Sequence, residues 1–424
     1  MNYDVIIAGG GPAGLMAAVA AGSAGASVLL VDKGDKLGRK LGISGGGRCN
    51  VTNRKEPDEL IRYIPGNGKF LHSALSKFGS REIIAFFEEM GIRLKEENEG
   101  RMFPVTDKAK SVVDALIRKV RSLGVEIRVN VKVDSLDIQG GELRGIRLAS
   151  GETVRASAVI VATGGKSVPR TGSTGDGYEW AKQAGHTITD LYPTEVPLTS
   201  PEPWIQSREL QGLSLSGVVL TVYDSKGKKL VAHEGDMLFT HFGLSGPAAL
   251  RCSQFVVKAL KRSGAETVTV AIDLLPDKSA DDIYAETLEL ARNEPKKAVR
   301  NALRGYIPER LLLFLLNRCG IDGEVTYANI PRGPWRELAM QMKSLPVRVN
   351  GTLSIEEAFV TGGGVHLKEI DPRTMESKLL PGLYFCGEVL DVHGYTGGYN
   401  ITAAFSTGYT AGSSAAAKAM PVHR

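Results

Sequence analysis

Residues that carry metal and thiol chemistry are scarce in this chain. It has four cysteines and seven histidines in 424 residues. Cys49, Cys252, Cys319 and Cys386 stand far apart and form no CxxC pair. That argues against zinc-ribbon and thioredoxin-type chemistry and reads as reduced thiols of a cytosolic protein. The histidines show no ligand spacing, so no metal centre is expected. Charge of one sign is also missing: 52 basic residues face 47 acidic ones, a net of +5. Such a balance weakly favours anionic ligands and does not by itself indicate nucleic acid. No apolar run is long enough to span a bilayer. The opening stretch, MNYDVIIAGGGPAG, places Asp4 where a signal peptide would carry positive charge, and glycines break its apolar run. The expectation is a cytoplasmic protein with no membrane partner and a small-molecule substrate.

Glycine, by contrast, is abundant, with 50 copies. Near the start, Val5 to Ala8 reads as a short strand buried on both faces. Gly9, Gly11 and Gly14 follow in G-x-G-x-x-G spacing. A small-residue helix comes next, then a second strand ending at Asp32. Each part has a physical reason. Gly9 permits the tight turn, Gly11 admits a pyrophosphate against bare backbone, and Gly14 lets helix and strand pack closely. The helix start offers unpaired N–H groups and partial positive charge to that phosphate. Asp32 stands where a carboxylate accepts hydrogen bonds from a ribose, which argues against a 2′-phosphate there. The loop alone leaves NAD and FAD open.

Two later stretches choose between them. Ala158 to Ala162 reads as another buried strand, turning sharply at Thr163 and Gly164. Near the C-terminus, Leu383 to Cys386 reads as a short strand leading into Gly387-Glu388. A second glycine loop, Gly397-Gly398-Tyr399-Asn400, opens a small-residue helix from Ile401. Loops from both ends of the chain thus meet one dinucleotide, an arrangement that resembles two-domain FAD flavoproteins. In that setting GRKLGISGGGRCNVTN, residues 38–53, reads as a loop returning over the cofactor. Ser44 to Gly47 would wrap backbone amides around it. Arg48 and Asn50 would approach phosphate or flavin, and Cys49 would face the ring.

These segments, with DMLFTHFGLSGPAAL (236–250) and TMESKLLPGLYFCGEVLDVHGYTGGYNITAAFSTG (374–408), resemble the BaiN-like family of bacterial FAD flavoproteins over essentially the whole chain. The resemblance implies a discontinuous Rossmann-type α/β FAD-binding domain, an inserted β-barrel-like domain and a small helical insert. It also implies a cofactor shell of Gly9, Gly11, Gly14, Asp32, Lys33, Lys40, Ser44, Gly46, Arg48, Cys49 and Asn50. Val133, Thr163, Gly164, Gly387, Glu388, Gly398, Asn400 and Ile401 would complete it.

From residue 191 the texture changes to alternating, β-branched runs with Gly and Asp turns, which read as short antiparallel strands. Residues 277–322 carry apolar residues at three- and four-residue steps and read as helices. The expected boundaries are 1–190 with 362–424 for the FAD domain, 191–275 with 331–361 for the β-rich domain, and 276–330 for the insert. TGGGV at 361–365 lacks dinucleotide spacing, so a built-in nicotinamide domain is not expected. NADH or NADPH would dock transiently as reductant.

No acid–base pair stands out. His393, Tyr395, His241 and Cys49 are the polar groups nearest the flavin motifs, and the histidines read as hydrogen-bonded structural residues. A Cys49–Cys386 redox pair is conceivable on placement, but neither comes with a resolving partner in sequence. The expected activity is FAD-dependent oxidoreduction of a small organic substrate by hydride transfer through flavin N5. Oxidation of an amine by O₂ and modification of RNA are the alternatives, and oligomeric state is not legible.

Overall fold

The computed structural model describes residues 2–420. The chain forms two compact units, 1–192 with 355–424, and 193–354.

The first unit is built on a seven-stranded mixed sheet. Its parallel part runs in the order Glu126–Arg128, Val28–Val31, Asn2–Ala8, Thr153–Val161, Leu383–Phe385. The central strands are apolar at nearly every position because helices and further chain cover both faces; Val5, Ile6, Ile7, Leu29, Leu30, Val159 and Ile160 are fully buried. The nine-residue strand Thr153–Val161 belongs to two neighbourhoods. Its end pairs in parallel with Asn2–Ala8 and Leu383–Phe385, and its beginning pairs antiparallel with Glu142–Leu148, which in turn pairs with Val133–Gln139.

Register aligns the carboxyl ends. Ala8 stands opposite both Val31 and Val161, and Val161 stands opposite Phe385. Gly9, Asp32, Ala162 and Cys386 therefore leave the sheet at one level, at the edge where open α/β sheets bind ligands.

Two helices of small residues, Pro12–Ser23 and Tyr399–Ala419, pack on each other. A Cβ built on Gly408 would lie 2.3 Å from the Ala13 carbonyl oxygen, and one on Gly412 2.2 Å from that of Ala17. The pairing advances by four residues on each helix, so the two run parallel. The start of the longer helix projects about 12 Å beyond that of the shorter.

The second unit holds a seven-stranded antiparallel sheet in the order Leu345–Val349, Val268–Asp273, Ser214–Tyr223, Lys229–Phe239, Gly243–Ser245, Leu198–Thr199, Gly351–Thr352. The two ends of that order are neighbours in sequence, with Asn350 alone between them. The sheet thus curls into the barrel-like form. The helix Pro247–Ser263 packs on it through Ala248, Ala249, Cys252 and Val256. Helices Ala280–Asn293, Glu309–Arg318 and Arg332–Lys343 share the same apolar core through Ile283, Leu312, Leu315, Trp335 and Met342.

Candidate cofactor site

Gly9 has φ +110°, and a Cβ there would lie 2.5 Å from the Ala162 carbonyl oxygen. Gly14 is tighter, 1.8 Å from the Gly9 oxygen. Both are dictated by protein packing. Gly11 differs: its φ is −75° and nothing lies within 4 Å of a Cβ built on it. Its bare side opens on free space at the start of the helix Pro12–Ser23, which has no side-chain cap. A phosphate suits that place, because first-turn N–H groups need an acceptor.

Asp32 is anchored by its neighbours. Its carboxylate accepts N–H bonds from Gly10 at 2.7 Å and Gly34 at 2.7 Å. The Asn130–Val131 backbone runs alongside, bonded to Gly34 and Asp32 carbonyls, and brings Val133 to the same end of the site. Lys33 reaches across to Thr174 and Asp176 and ties the loop after Gly164 to the end of the second strand.

Residues 44–49 answer for their glycines. Gly45, Gly46 and Gly47 all have positive φ, and Cys49 follows at +63°. Four left-handed residues in five is a path that side chains oppose, hence the glycine run. Gly46 and Gly47 also have nothing within 4 Å of a built Cβ. Ser44 donates to the Leu41 carbonyl and so turns inward at the end of helix Arg39–Ile43. Arg48 is held within the protein: Glu97 and Asp107 bond its guanidinium, and it lies 4.2 Å over the Phe103 ring. The Cys49 thiol is fully buried, and burial pushes its pKa up to about 12. Cys386 is also raised by burial, and all four cysteines are free. Neither thiol has the thiolate character that redox exchange needs.

At the C-terminal part, Gly387 has φ +77°, lies against Ala13 and donates its N–H to Thr407 Oγ1 at 2.9 Å. Glu388 is the centre of a network. Its carboxylate meets Lys40 Nζ at 2.7 Å, accepts from Ser167 Oγ at 3.0 Å, and accepts the Thr361 N–H at 2.7 Å. Lys40 also donates to Ser167 Oγ. Gly398, at φ +95°, presses on Thr52 and lies beside Asn50 Oδ1. The Asn400 amide is engaged in the preceding loop, bonded to Gly394 and Tyr395. Asn400 and Ile401 offer first-turn backbone N–H groups of the helix Tyr399–Ala419.

Two buried oxygens of the predicted shell, Asn50 Oδ1 and Thr163 Oγ1, have no hydrogen-bond partner among the described residues. In folded proteins most buried polar atoms are paired, so an oxygen of this kind invites a ligand. With the open side of Gly11 and two parallel helix starts staggered by about 12 Å, these residues fit an elongated, anionic, polar-edged dinucleotide such as FAD. The shorter helix and Gly11 would hold its pyrophosphate. Asp32 would hold its ribose, and the longer helix its flavin end.

Sequence reading missed Ser167, Thr361, Thr407 and Tyr192. Thr361 and Thr407 lie inside the segments 361–365 and 374–408 without being singled out there, and Tyr192 lies in no quoted segment. Tyr192 OH is 2.8 Å from His393 Nε2, a partner 201 residues away. His241 is exposed on the second unit. A Ser–His–Glu order also occurs, with His186 Nε2 2.7 Å from Ser377 Oγ and Nδ1 3.1 Å from Glu369. Ser377 Oγ is occupied by the Leu379 and Leu380 N–H groups, so the trio fastens a turn.

Among the described residues no helix is long and apolar enough to cross a membrane. The chain is 34% identical over 410 residues to the ribosomal RNA dihydrouridine synthase of Escherichia coli K12, covering 96% of each chain. It is 31% identical over 422 residues to the 3-dehydro-bile acid delta(4,6)-reductase of Clostridium scindens, covering 98% of this chain and 99% of that one. Among solved structures, 3-ketosteroid-Δ4-(5α)-dehydrogenase from Rhodococcus jostii shares the fold, with TM-score 0.53 and 16% identity over 98% of this chain and 97% of that one. Residues 3–414 match the HI0933-like protein Rossmann domain, and with these relatives the chain belongs to that family of FAD-dependent oxidoreductases.

Proposed function

We propose that this protein reduces a carbon–carbon double bond conjugated to a carbonyl group, drawing electrons from NADH or NADPH. The observation that carries the reading is the end-to-end kinship with two enzymes whose names describe that one chemistry on unlike molecules. A 3-dehydro-Δ4 bile acid and a uracil ring differ in size and polarity. Both present an electron-poor C=C beside C=O. What such relatives hold in common is the reaction rather than the substrate.

FAD, when bound, supplies two-electron chemistry by carrying hydride at flavin N5. The chain's own residues bind and orient it. Asp32 is pre-set by two backbone donors, and Lys40, Ser167 and Thr361 hold Glu388 at the turn after Phe385. The nicotinamide would approach from solution, since its motif occurs once in the sequence.

A second reading places the double bond in a uridine of ribosomal RNA. It is favoured by 34% identity to the synthases of Escherichia coli and Haemophilus influenzae. Incubation of the FAD-loaded protein with NADPH and either an enone or unmodified ribosomal RNA separates the two. The product that gains two hydrogens by mass identifies the substrate class. Hydrogen peroxide release with an amine, and no reduced product, would replace both readings with an oxidase.

A further inference from the structure

Two rings meet in the first unit where two glycines make room for them. The Tyr192 hydroxyl lies 2.8 Å from His393 Nε2, with the rings edge-to-face at 89°. A Cβ on Gly362 would lie 2.3 Å from Tyr192 Cε2, and one on Gly66 2.2 Å from His393 Cδ2. Neither glycine has positive φ. Backbone conformation does not require glycine at these positions; the space for the rings does.

The pair is fastened to the cofactor turn from both sides. Gly362 follows Thr361, whose N–H bonds Glu388. His393 precedes Gly394, which the Asn400 side chain staples to the start of the helix Tyr399–Ala419. Gly66 and His393 exchange backbone hydrogen bonds at 2.9 and 3.2 Å. His393 is 1% exposed, whereas Tyr192 is only partly buried. A buried imidazole thus holds the hydroxyl of a partly buried ring.

Reducing a conjugated double bond requires a hydride at the carbon far from the carbonyl and a proton at the near one. We propose, resting on the reductase reading, that the Tyr192 hydroxyl is the proton donor and that His393 positions it. The π bond breaks, and its far carbon gains a C–H bond with the two electrons of the hydride. FAD, when bound, would supply that hydride, with a nicotinamide dinucleotide as the reductant. The near carbon takes the proton from Tyr192 O–H, and the tyrosinate left behind is reprotonated by solvent while His393 Nε2 holds its oxygen in place. Burial and the nearby Asp391 charge both raise the Tyr192 pKa. The phenol therefore stays protonated at neutral pH and yields its proton only to a stronger base, such as an enolate carbon.

The test uses FAD-loaded wild type, Tyr192→Phe and His393→Asn, reduced anaerobically with dithionite and mixed with 2-cyclohexen-1-one. The proposal expects Tyr192→Phe to slow the return of flavin absorbance by about 100-fold or more. Reoxidation by air and thermal midpoint should stay at wild-type values. His393→Asn should lower the limiting rate by about 10-fold and leave the half-saturating enone concentration unchanged. As a readout independent of turnover, ¹⁵N-histidine spectra should show a His393 Nε2 signal, assigned by its loss in His393→Asn, that shifts in Tyr192→Phe. Wild-type reoxidation rates in both variants would overturn the proton-donor role and leave the reductase reading intact. A wild-type protein whose reduced flavin ignores both the enone and uridine-containing RNA would overturn that reading and the donor role with it.

Discussion

Gly408 presses so closely on the carbonyl oxygen of Ala13 that a methyl group would lie 2.3 Å from it. The contact joins the two ends of the chain. It sets the parallel helices whose starts face the candidate cofactor site, so cofactor binding there would share one packing surface with the closure of the fold. Gly408→Val would force backbone apart, and overpacking of this kind costs about 1–3 kcal/mol or more. The expected result is a thermal midpoint lower by several degrees and a reduced ratio of flavin to protein absorbance after purification.

Gly11 supplies the contrast. Its φ suits any residue, and a Cβ there meets no protein atom within 4 Å. Gly11→Ala should leave the thermal midpoint of the flavin-free protein unchanged and weaken FAD binding by about 10-fold or more, close to 1.4 kcal/mol. Titration of apoprotein with FAD, followed by flavin fluorescence, checks it. Unaltered affinity would remove the phosphate from that side of the loop.

Lys40 and Glu388 are both about one-quarter exposed or less and share Ser167. Removing the lysine leaves a partly buried carboxylate with only Ser167 and the Thr361 N–H. Lys40→Met should cost about 1–2 kcal/mol in denaturant unfolding. The double variant Lys40→Met with Glu388→Gln should cost less than the sum of the singles, because the second change removes the stranded charge.

Acid sensitivity is expected from His233 in the second unit. Burial first, and the Arg251 charge second, lower its pKa to about 4 in the folded chain, against about 6.5 unfolded. The unfolded chain therefore binds the proton first as pH falls. His233 contributes its full stability above about pH 6.5, and loses it progressively as pH drops toward 4. Urea midpoints measured across that window should fall more steeply for wild type than for His233→Gln.

Much of the local geometry of the candidate site is legible in sequence because its parts are local. Strand, glycine turn and helix occur within one short stretch, and the geometry around Gly9, Gly14 and Asp32 follows from that order. The run at 45–47 is legible for the same reason, since successive positive φ values demand glycine. The direction of Arg48 is not. Its acidic partners, Glu97 at the end of the strand Leu94–Glu97 and Asp107 in the turn after the strand Arg101–Pro104, lie 49 and 59 residues away, and no local pattern announces them. Tyr192 escapes notice for a similar reason. Only the fold brings it to His393, and the glycines that admit the two rings, Gly66 and Gly362, look in sequence like ordinary turn residues. The barrel-like closure of the second unit was recognisable by resemblance, while its physical basis, Asn350 alone joining the two edge strands, needs the strand order.

The most direct test of the account is anaerobic. Protein purified without added cofactor should show flavin absorbance bands, which NADPH or NADH should bleach. An enone or uridine-containing ribosomal RNA, added before any air, should restore them in an amount matching the product that has gained two hydrogens. Bands that ignore nicotinamides and bleach with small amines would contradict the reductase assignment, and a protein that neither carries nor takes up FAD would contradict the site itself.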